Sequence, residues 1–317
     1  MHIAILTGGI STERIIALRS AANMKDWCEK SGHTTEIFDF PSDMHRFLRQ
    51  HQATTLAKHF PTKNLRKYLE NHQDFDLVIP MFHGIYGEDG QVTAFLTTLG
   101  YRYAYSDFTV HALCMDKYKT NIFVEKMGIR IPRSFFVERG YTIDSLCSPL
   151  VCYPVIVKPN RGGSSVATSK VSSVAELITA QKAIIDDDII IQECIEGREF
   201  TVGVYRDTDG FHVLPIVEIC TNDGFFDYEE KYETDGSNEV FAELEENIKN
   251  PLESMSLMIA SGLDCKGVVR IDWRYDGKDF YFLEVNTIPG FTSASLVPKM
   301  WKKAGKSEKE FVEMLFC

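Results

Sequence analysis

Val268-Val-Arg270-Ile-Asp272-Trp-Arg274-Tyr-Asp276-Gly277-Lys-Asp-Phe280-Tyr-Phe-Leu-Glu284-Val-Asn286 reads as two strands joined by a turn, and its register decides the architecture around it. Residues two apart on a strand share a face, so Arg270 with Asp272, and Glu284 with Asn286, form two same-sided pairs. Asp276-Gly277 marks the turn. A two-residue loop would pair Asp272 with Tyr281 and set Asp272 and Glu284 on opposite faces. A three-residue loop, Tyr275 to Gly277 with Gly277 left-handed, pairs Asp272 with Phe280 and puts all four polar residues on one face. The three-residue loop is the expectation. Strands normally deplete Asp and Asn, so this polar set is better read as a site than as an ion-pair ladder. Two carboxylates and an amide oxygen are hard donors suited to Mg²⁺ held jointly with nucleotide phosphates, and an arginine beside them can stabilise developing negative charge.

Upstream, Lys158-Pro-Asn-Arg-Gly162-Gly163-Ser164-Ser165-Val166 is a basic strand end running into a glycine-rich turn. Glycines let backbone N–H groups approach phosphate oxygens, and the lysine adds a point charge. The turn is neither Gly-x-x-x-x-Gly-Lys nor Gly-x-Gly-x-x-Gly. Two further polar glycine turns, Gly8-Gly9-Ile-Ser11-Thr-Glu13 and His83-Gly84-x-x-Gly87-Glu88-Asp89-Gly90, each follow a predicted strand at its carboxyl end. That is the ligand side of an open parallel sheet, which favours a shared pocket.

The pattern around these motifs is α/β at the N-terminus. Strands at His2–Leu6, Thr34–Phe38 and Leu77–Phe82 alternate with helical stretches after Ser11 and through Met44 to Glu70, as a parallel sheet requires. The basic stretch Arg46 to Lys67 reads as a solvated helical face. From Asp107 to Met127 the pattern is helical. Strands follow at Ser134–Glu138, Val155–Lys158, Val166–Lys170 and Ile189–Glu193, with a helix at Val174–Ile185. The remainder alternates strands (Phe200–Tyr205, His212–Ile219, then the hairpin) with helices near Leu252–Ser261 and Ser307–Phe316. This predicts an N-terminal α/β domain over 1–113, a central α+β lobe over 114–196 and a C-terminal lobe over 197–317.

The chain has 317 residues, enough for about two domains. Its net charge of −11 argues against a nucleic-acid partner. No apolar stretch reaches the ~18–20 residues of a membrane helix, and Ile3 to Leu6 with no basic region ahead of it does not resemble a secretory signal. Eight scattered cysteines without a Cys-x-x-Cys pair read as reduced thiols. A cytoplasmic location is expected.

Taken together these residues resemble the D-alanine–D-alanine ligases of the ATP-grasp superfamily from Ile3 to about Leu315. The resemblance is carried by Gly8-Gly9-x-Ser-x-Glu13-Arg14, His83-Gly-x-x-Gly-Glu-Asp-Gly90, Met115-Asp-Lys117, Val157-Lys-Pro159, Gly163-Ser-Ser-Val166 and Gly197-x-Glu199-Phe. Lys231-Tyr232, Arg270-x-Asp272, Glu284-x-Asn286-Thr-x-Pro-Gly290 and Thr292-Ser-x-Ser295-Leu296-Val-Pro continue it in order. It implies a parallel pre-ATP-grasp domain followed by a two-lobed α+β ATP-grasp fold. The implied reaction is ATP-driven joining of two D-alanines through an acyl phosphate, in the cytoplasm, for peptidoglycan and cell shape, by a homodimer.

The same resemblance implies roles. Lys117, Lys158 and Ser165 would hold ATP phosphates, with Lys231 at the γ-phosphate. Asp272, Glu284 and Asn286 would bind two Mg²⁺ ions, for which Mn²⁺ can substitute. Backbone groups of Glu193 and Ile195 would read adenine and Glu199 the ribose. Glu13 would anchor the first substrate's ammonium beside His83. Arg270 and the Gly290 N–H would stabilise the oxyanion, and Ser295 and Leu296 would receive the second carboxylate. Glu13, Ser164 and Tyr232 would form a hydrogen-bonded set ordering a loop over the site. A lid over Asp223–Glu243 is expected to be mobile without nucleotide. The chain departs from the family pattern at Gln192, Ile15, Ala17, Ala167 and Phe241-Ala242. Two alternatives stand beside this reading: a ligase whose acceptor is D-lactate or D-serine, and a nucleotide-binding regulator without turnover.

Overall fold

The computed structural model describes residues 1–9, 11, 13–40, 75–141, 152–163, 167–220 and 239–317. The N-terminal apolar run forms β1 (His2–Gly8), α1 (Arg14–Lys30) returns the chain to β2 (Thr34–Phe40), and β3 (Leu77–Met81) completes a parallel sheet of order β2-β1-β3. A parallel sheet is covered on both faces, which is why Ile3-Ala-Ile-Leu6 and Leu77-Val-Ile79 are unbroken apolar runs. The carboxyl ends of β1 and β3 and the start of α1 therefore open on one side of the sheet.

Next come α2 (Gln91–Leu99), α3 (Phe108–Met115) and α4 (Lys117–Lys126). Asp107 and Asp116 cap the last two, their side chains accepting from the amides of Thr109 and Lys119. A four-stranded antiparallel sheet follows, built from β4 (Ser134–Val137), β5 (Val155–Pro159), β6 (Ser169–Val171) and β7 (Ile189–Glu193) in the order β4-β7-β5-β6. Leu177 and Ala180 of α5 (Val174–Ala183) pack on its Val155 and Val157.

The third sheet holds β8 (Arg198–Asp207), β9 (Gly210–Val213), β10 (Val217–Ile219), β11 (Glu239–Phe241), β12 (Val268–Tyr275) and β13 (Phe280–Asn286). Its order is β11-β10-β8-β12-β13, with β9 also on β8. Helices α6 (Glu246–Gly262), α7 (Leu296–Lys303) and α8 (Glu308–Met314) belong to this part. One core joins it to the first sheet: Trp27 of α1 meets Phe291 and Phe311 edge-on at 4.8 and 5.3 Å between ring centroids. Aromatic pairs in this geometry add about 0.5–1.5 kcal/mol each beyond their buried area.

Three expectations need correction. The hairpin has a four-residue loop, Asp276 to Asp279, because Tyr275 pairs with Phe280. The Asp276 carboxylate accepts from the amides of Lys278 and Asp279 at 2.8 and 2.7 Å, which stabilises the longer turn. The expected strand His212–Ile219 is two strands, because Pro215 lacks the N–H a ladder needs. Val213 and Val217 are four positions apart, while their partners on β8, Val204 and Thr201, are three apart. The helix near Leu252 starts earlier, at Glu246, and contains Pro251. The expected lid lies outside the described residues up to 238, and its last residues form β11, paired to β10. The expected helix over Met44–Glu70, with its basic face, also lies outside the described residues.

Candidate active site

The site is assembled around β12 and β13. Asp272 faces Glu284 directly across the ladder and Arg270 faces Asn286, so all four stand on one side of the sheet. A register shift between Asp272 and Trp273 leaves Leu283 as an extra residue on β13. The four-residue loop alone would pair Asp272 with Leu283 and turn Glu284 to the other face; the bulge restores the common face. Phe282, Trp273 and Val285 keep the opposite, buried face. At the bulge the Phe282 amide donates outward to Arg130 O at 2.9 Å.

Asp272, 9% exposed, is the hub of this cluster. Arg270 forks onto it, Nε to Oδ1 at 3.1 Å and NH2 to Oδ2 at 3.0 Å. Thr201 Oγ1, from β8, donates to Oδ1, and Asn286 Nδ2 donates to Oδ2 at 3.1 Å. Burial works against the Arg270 charge, but the carboxylate of Asp272, reinforced by Glu284 and Glu88, outweighs it and holds the guanidinium's pKa above its ordinary value. Lys117, at the first position of α4, lies 3.5 Å from Glu284 Oε2 and donates to Gly162 O at 2.5 Å.

A cavity opens here between Lys117, Gly162, Gly163, Glu284, Asn286 and Glu88. Gly163 approaches Glu13 so closely that a Cβ on it would lie 2.6 Å from Glu13 Oε2, so the turn after β5 and the start of α1 meet only because the residue is glycine. Glu88 accepts from the Gly84 amide at 2.8 Å. Burial, then the negative charge of Glu13, raise its pKa to about 8. The shift favours the protonated carboxyl in the wall of the site, with the cations of Lys117 and Arg270 opposing it.

His83 is 4% exposed and both ring nitrogens are engaged by the protein: Nδ1 lies 3.2 Å from Ile288 O and Nε2 3.0 Å from Ser20 Oγ. Through these bonds His83 holds the 288–291 loop. Gly290 lies in that loop, where a Cβ would come 3.1 Å from Ser295 Oγ. Ser295 Oγ accepts from the Thr292 amide at 2.9 Å, and Leu296 starts α7, whose N-terminus suits a carboxylate. Ser295 and Leu296 do not line the cavity described above.

The remaining expected residues sit farther along the two antiparallel sheets. Lys158 stands on β5 opposite Ile190. Glu193 ends β7, its N–H donated to Arg133 O at 2.8 Å, and half-buried Ile195 follows it. Glu199 pairs with Arg274 across β8 and β12, Oε2 to NH2 at 2.9 Å. Gln192 donates from Nε2 to Ser134 Oγ at 3.1 Å, and Ser134 donates to Pro132 O at 2.9 Å, which turns the Gln192 amide oxygen away from Ser134. Ala167 sits at φ 57°, Ile15 is exposed, and Ala17 is buried. Ser164, Ser165, Lys231 and Tyr232 lie outside the described residues.

Four residues of the site escaped the sequence reading. Glu88 lies within a quoted motif. Ser20 follows Glu13 by seven positions, two helical turns on the same face, and Asn23 follows Ser20 by three, a periodicity that could have exposed both. Thr201 had no signal beyond being a polar residue inside an apolar strand.

Two family descriptions match the chain, D-ala D-ala ligase N-terminus over residues 2–106 and D-ala D-ala ligase C-terminus over residues 123–316. A D-alanine–D-alanine ligase from Thermotoga petrophila is 34% identical over 322 aligned positions, covering 99% of this chain and 96% of the relative. Among solved structures, D-alanine–D-alanine ligase from Bacillus anthracis complexed with ATP superimposes with a TM-score of 0.79 at 26% identity, covering 99% of this chain and 96% of that one. A D-Ala:D-Ser ligase from Enterococcus faecalis gives a TM-score of 0.77 at 27% identity, over 99% and 98%.

Proposed function

Since the chain belongs to the D-alanine–D-alanine ligase family and is an ATP-dependent ligase that joins two D-alanines for peptidoglycan, we propose how its own residues divide that work. The observation that carries the proposal is the direct opposition of Asp272 and Glu284, with Arg270 and Asn286 beside them on the same face. Asp272, Glu284 and Asn286 offer hard oxygen donors, two of them carboxylates that Arg270 and Lys117 neighbour here, a donor set that suits divalent cations. They would hold two Mg²⁺ ions, or Mn²⁺ in their place. When bound, these ions neutralise charge on the transferring phosphoryl group.

Glu13 anchors the ammonium of the first D-alanine, so that its carboxylate meets the γ-phosphorus of ATP. Lys117 and Lys158, with Ser165 and Lys231, hold the phosphates. Glu193 and Ile195 take adenine through backbone groups, and Glu199, braced by Arg274, takes the ribose. The carboxylate oxygen bonds to phosphorus, ADP leaves, and the acyl phosphate becomes the electrophile that a free carboxylate is not. The amine of the second D-alanine, its carboxylate at Ser295 and Leu296, attacks the acyl carbon. Arg270 and the Gly290 N–H meet the developing oxyanion, and phosphate leaves. Glu13, Ser164 and Tyr232 order the covering loop.

Domains over 1–113, 114–196 and 197–317, a homodimer and a cytoplasmic location complete the proposal. Among the described residues the cysteines are unbridged, and no helix is long and apolar enough to cross a membrane. The test is incubation with ATP, Mg²⁺ and D-alanine, with L-alanine as control and D-lactate and D-serine as competing acceptors. Products are identified by mass spectrometry while phosphate release is followed. D-alanyl-D-alanine formed only from the D-substrate is expected; phosphate release without dipeptide would overturn the acceptor assignment.

A further inference from the structure

The loop after β13 is held by elements of the opposite end of the chain. The Phe291 N–H donates to Ser20 Oγ at 3.1 Å, and Phe291 O accepts from Asn23 Nδ2 at 2.8 Å. Three residues earlier, Ile288 O lies 3.2 Å from His83 Nδ1, and His83 Nε2 lies 3.0 Å from Ser20 Oγ. The direction of every bond follows from chemistry. A carbonyl only accepts, so Nδ1 carries a proton, and a backbone N–H only donates, so Ser20 Oγ accepts from Phe291. In the neutral ring Nε2 is then bare and accepts the Ser20 hydroxyl proton. Burial agrees, since desolvation lowers the His83 pKa against the opposing charge of Glu13 and the bond to Ile288. Ser20, Ile288 and Phe291 are each fully buried, so no water competes for these bonds.

Gly290 lies between the two anchored residues. Ile288 is tied at its carbonyl, Pro289 has a fixed φ, and Phe291 is tied at both its amide and its carbonyl. The Ile288–Pro289 and Gly290–Phe291 peptides are thereby fixed, so both ends of the Pro289–Gly290 peptide are held in place. We propose that Ser20 and His83 are positioning residues for the Gly290 amide: the relay from Phe291 N–H through Ser20 Oγ to His83, closed by His83 on Ile288 O, holds the segment that carries that amide against the oxyanion. The inference rests on the reading of Gly290 as an oxyanion donor. Its consequence is geometric economy, because α1 then carries the ammonium anchor at its start and the brace of the oxyanion donor two turns later.

The experiment is Ser20→Ala in the full-length enzyme, with three readouts. These are the kcat and KM split, affinity for a tetrahedral phosphinate analogue of the dipeptide presented with ATP, and hydrogen exchange of the 288–291 amides. Losing one oxyanion donor typically costs 10²–10³-fold in kcat, so misaiming one is expected to cost about 10–100-fold. The expected result is that fall in kcat, a matching loss of analogue affinity, an unchanged KM for ATP and faster exchange in the loop. Faster exchange with unchanged kcat and analogue affinity would overturn the inference by removing Gly290 from the oxyanion site. Unchanged exchange would overturn the relay itself and leave the assignment of Gly290 standing. His83→Ala, which cuts the relay at its other end, carries the same readings if Ser20→Ala does not fold.

Discussion

Asp272 and Glu284 stand directly opposite each other although the turn that joins their strands has the wrong parity for it; Leu283, bulged out of the ladder, corrects the count. The two carboxylates therefore share a polar face that continues towards the turn through Arg274 and Glu199, while Phe280, Phe282 and Trp273 fill the core behind it. Like charges directly across a ladder destabilise it, and here the cost is offset by Arg270 on one carboxylate and Lys117 near the other.

Thr201 orients Asp272 without touching anything that reacts. Thr201→Val keeps the shape and removes the donor. The concentration of Mg²⁺ giving half-maximal phosphate release should rise by about 10–100-fold, the usual effect of losing an outer partner of a metal ligand. Asp272→Asn should cost more, since it also releases Arg270. A Mg²⁺ titration at saturating ATP checks both, and an unshifted midpoint in Thr201→Val would mean that Asp272 needs no such orientation.

The Arg274–Glu199 pair is the second charge relation on this sheet. Both side chains are largely buried, at 10% and 17% exposure, and Arg274 also donates to Gly197 O at 3.0 Å. Arg274→Met should destabilise the fold by about 2–4 kcal/mol, because it strands a buried carboxylate. It should also raise the KM for ATP through misplacement of Glu199. The double variant with Glu199→Gln should recover most of the stability and none of the ATP affinity. Urea unfolding and ATP titration separate the two effects.

Strand identity was legible in this chain and strand register was not. Periodicity and β-branched content gave β1, β3, β12 and β13 close to their observed ends, because those signals are local. The face shared by Asp272 and Glu284 depends on loop length and bulge together, and the extra loop residue and the bulged Leu283 offset each other in parity. The spacing of the apolar residues Phe280, Phe282 and Val285 changes from two to three at the bulge and was the available signal. Pro215 was likewise a visible break in an expected strand. The helical spacing from Glu13 puts Ser20 and Asn23 on one face, but their partner Phe291 lies about 270 residues away, and no local pattern encodes that contact.

Ala167 occupies a left-handed conformation, φ 57°, just after the glycine-rich turn. The strain for an L-residue there is about 1–2 kcal/mol. Replacing it by glycine removes the strain but adds about 0.5–1 kcal/mol of chain entropy to be lost on folding. Strain wins by a small margin, so Ala167→Gly should stabilise the protein by about 0.5 kcal/mol. A denaturant midpoint below that of the parent would show that the Ala167 methyl, which packs against the second sheet's core, outweighs the strain.

His111 of α3 links acidity to stability. It is fully buried, with Nδ1 2.6 Å from Thr287 Oγ1, directly beside Asn286 in sequence. Burial lowers its pKa from the ordinary 6.5 to about 4, against a backbone bond to Ser106 and the charge of Asp107. Above pH 6.5 the ring is neutral in both folded and unfolded chains, and its contribution is complete. As pH falls from 6.5 towards 4, only the unfolded chain takes up the proton, so stability declines, and below 4 the loss levels off. The total is about 3 kcal/mol at most. His83, shifted in the same direction, adds to the decline but is present in a His111→Gln variant too. Urea unfolding of parent and His111→Gln between pH 4 and 7.5 should therefore give a difference in stability that narrows on acidification, with the parent losing more. Parallel curves would mean that His111 is not held neutral in the folded protein.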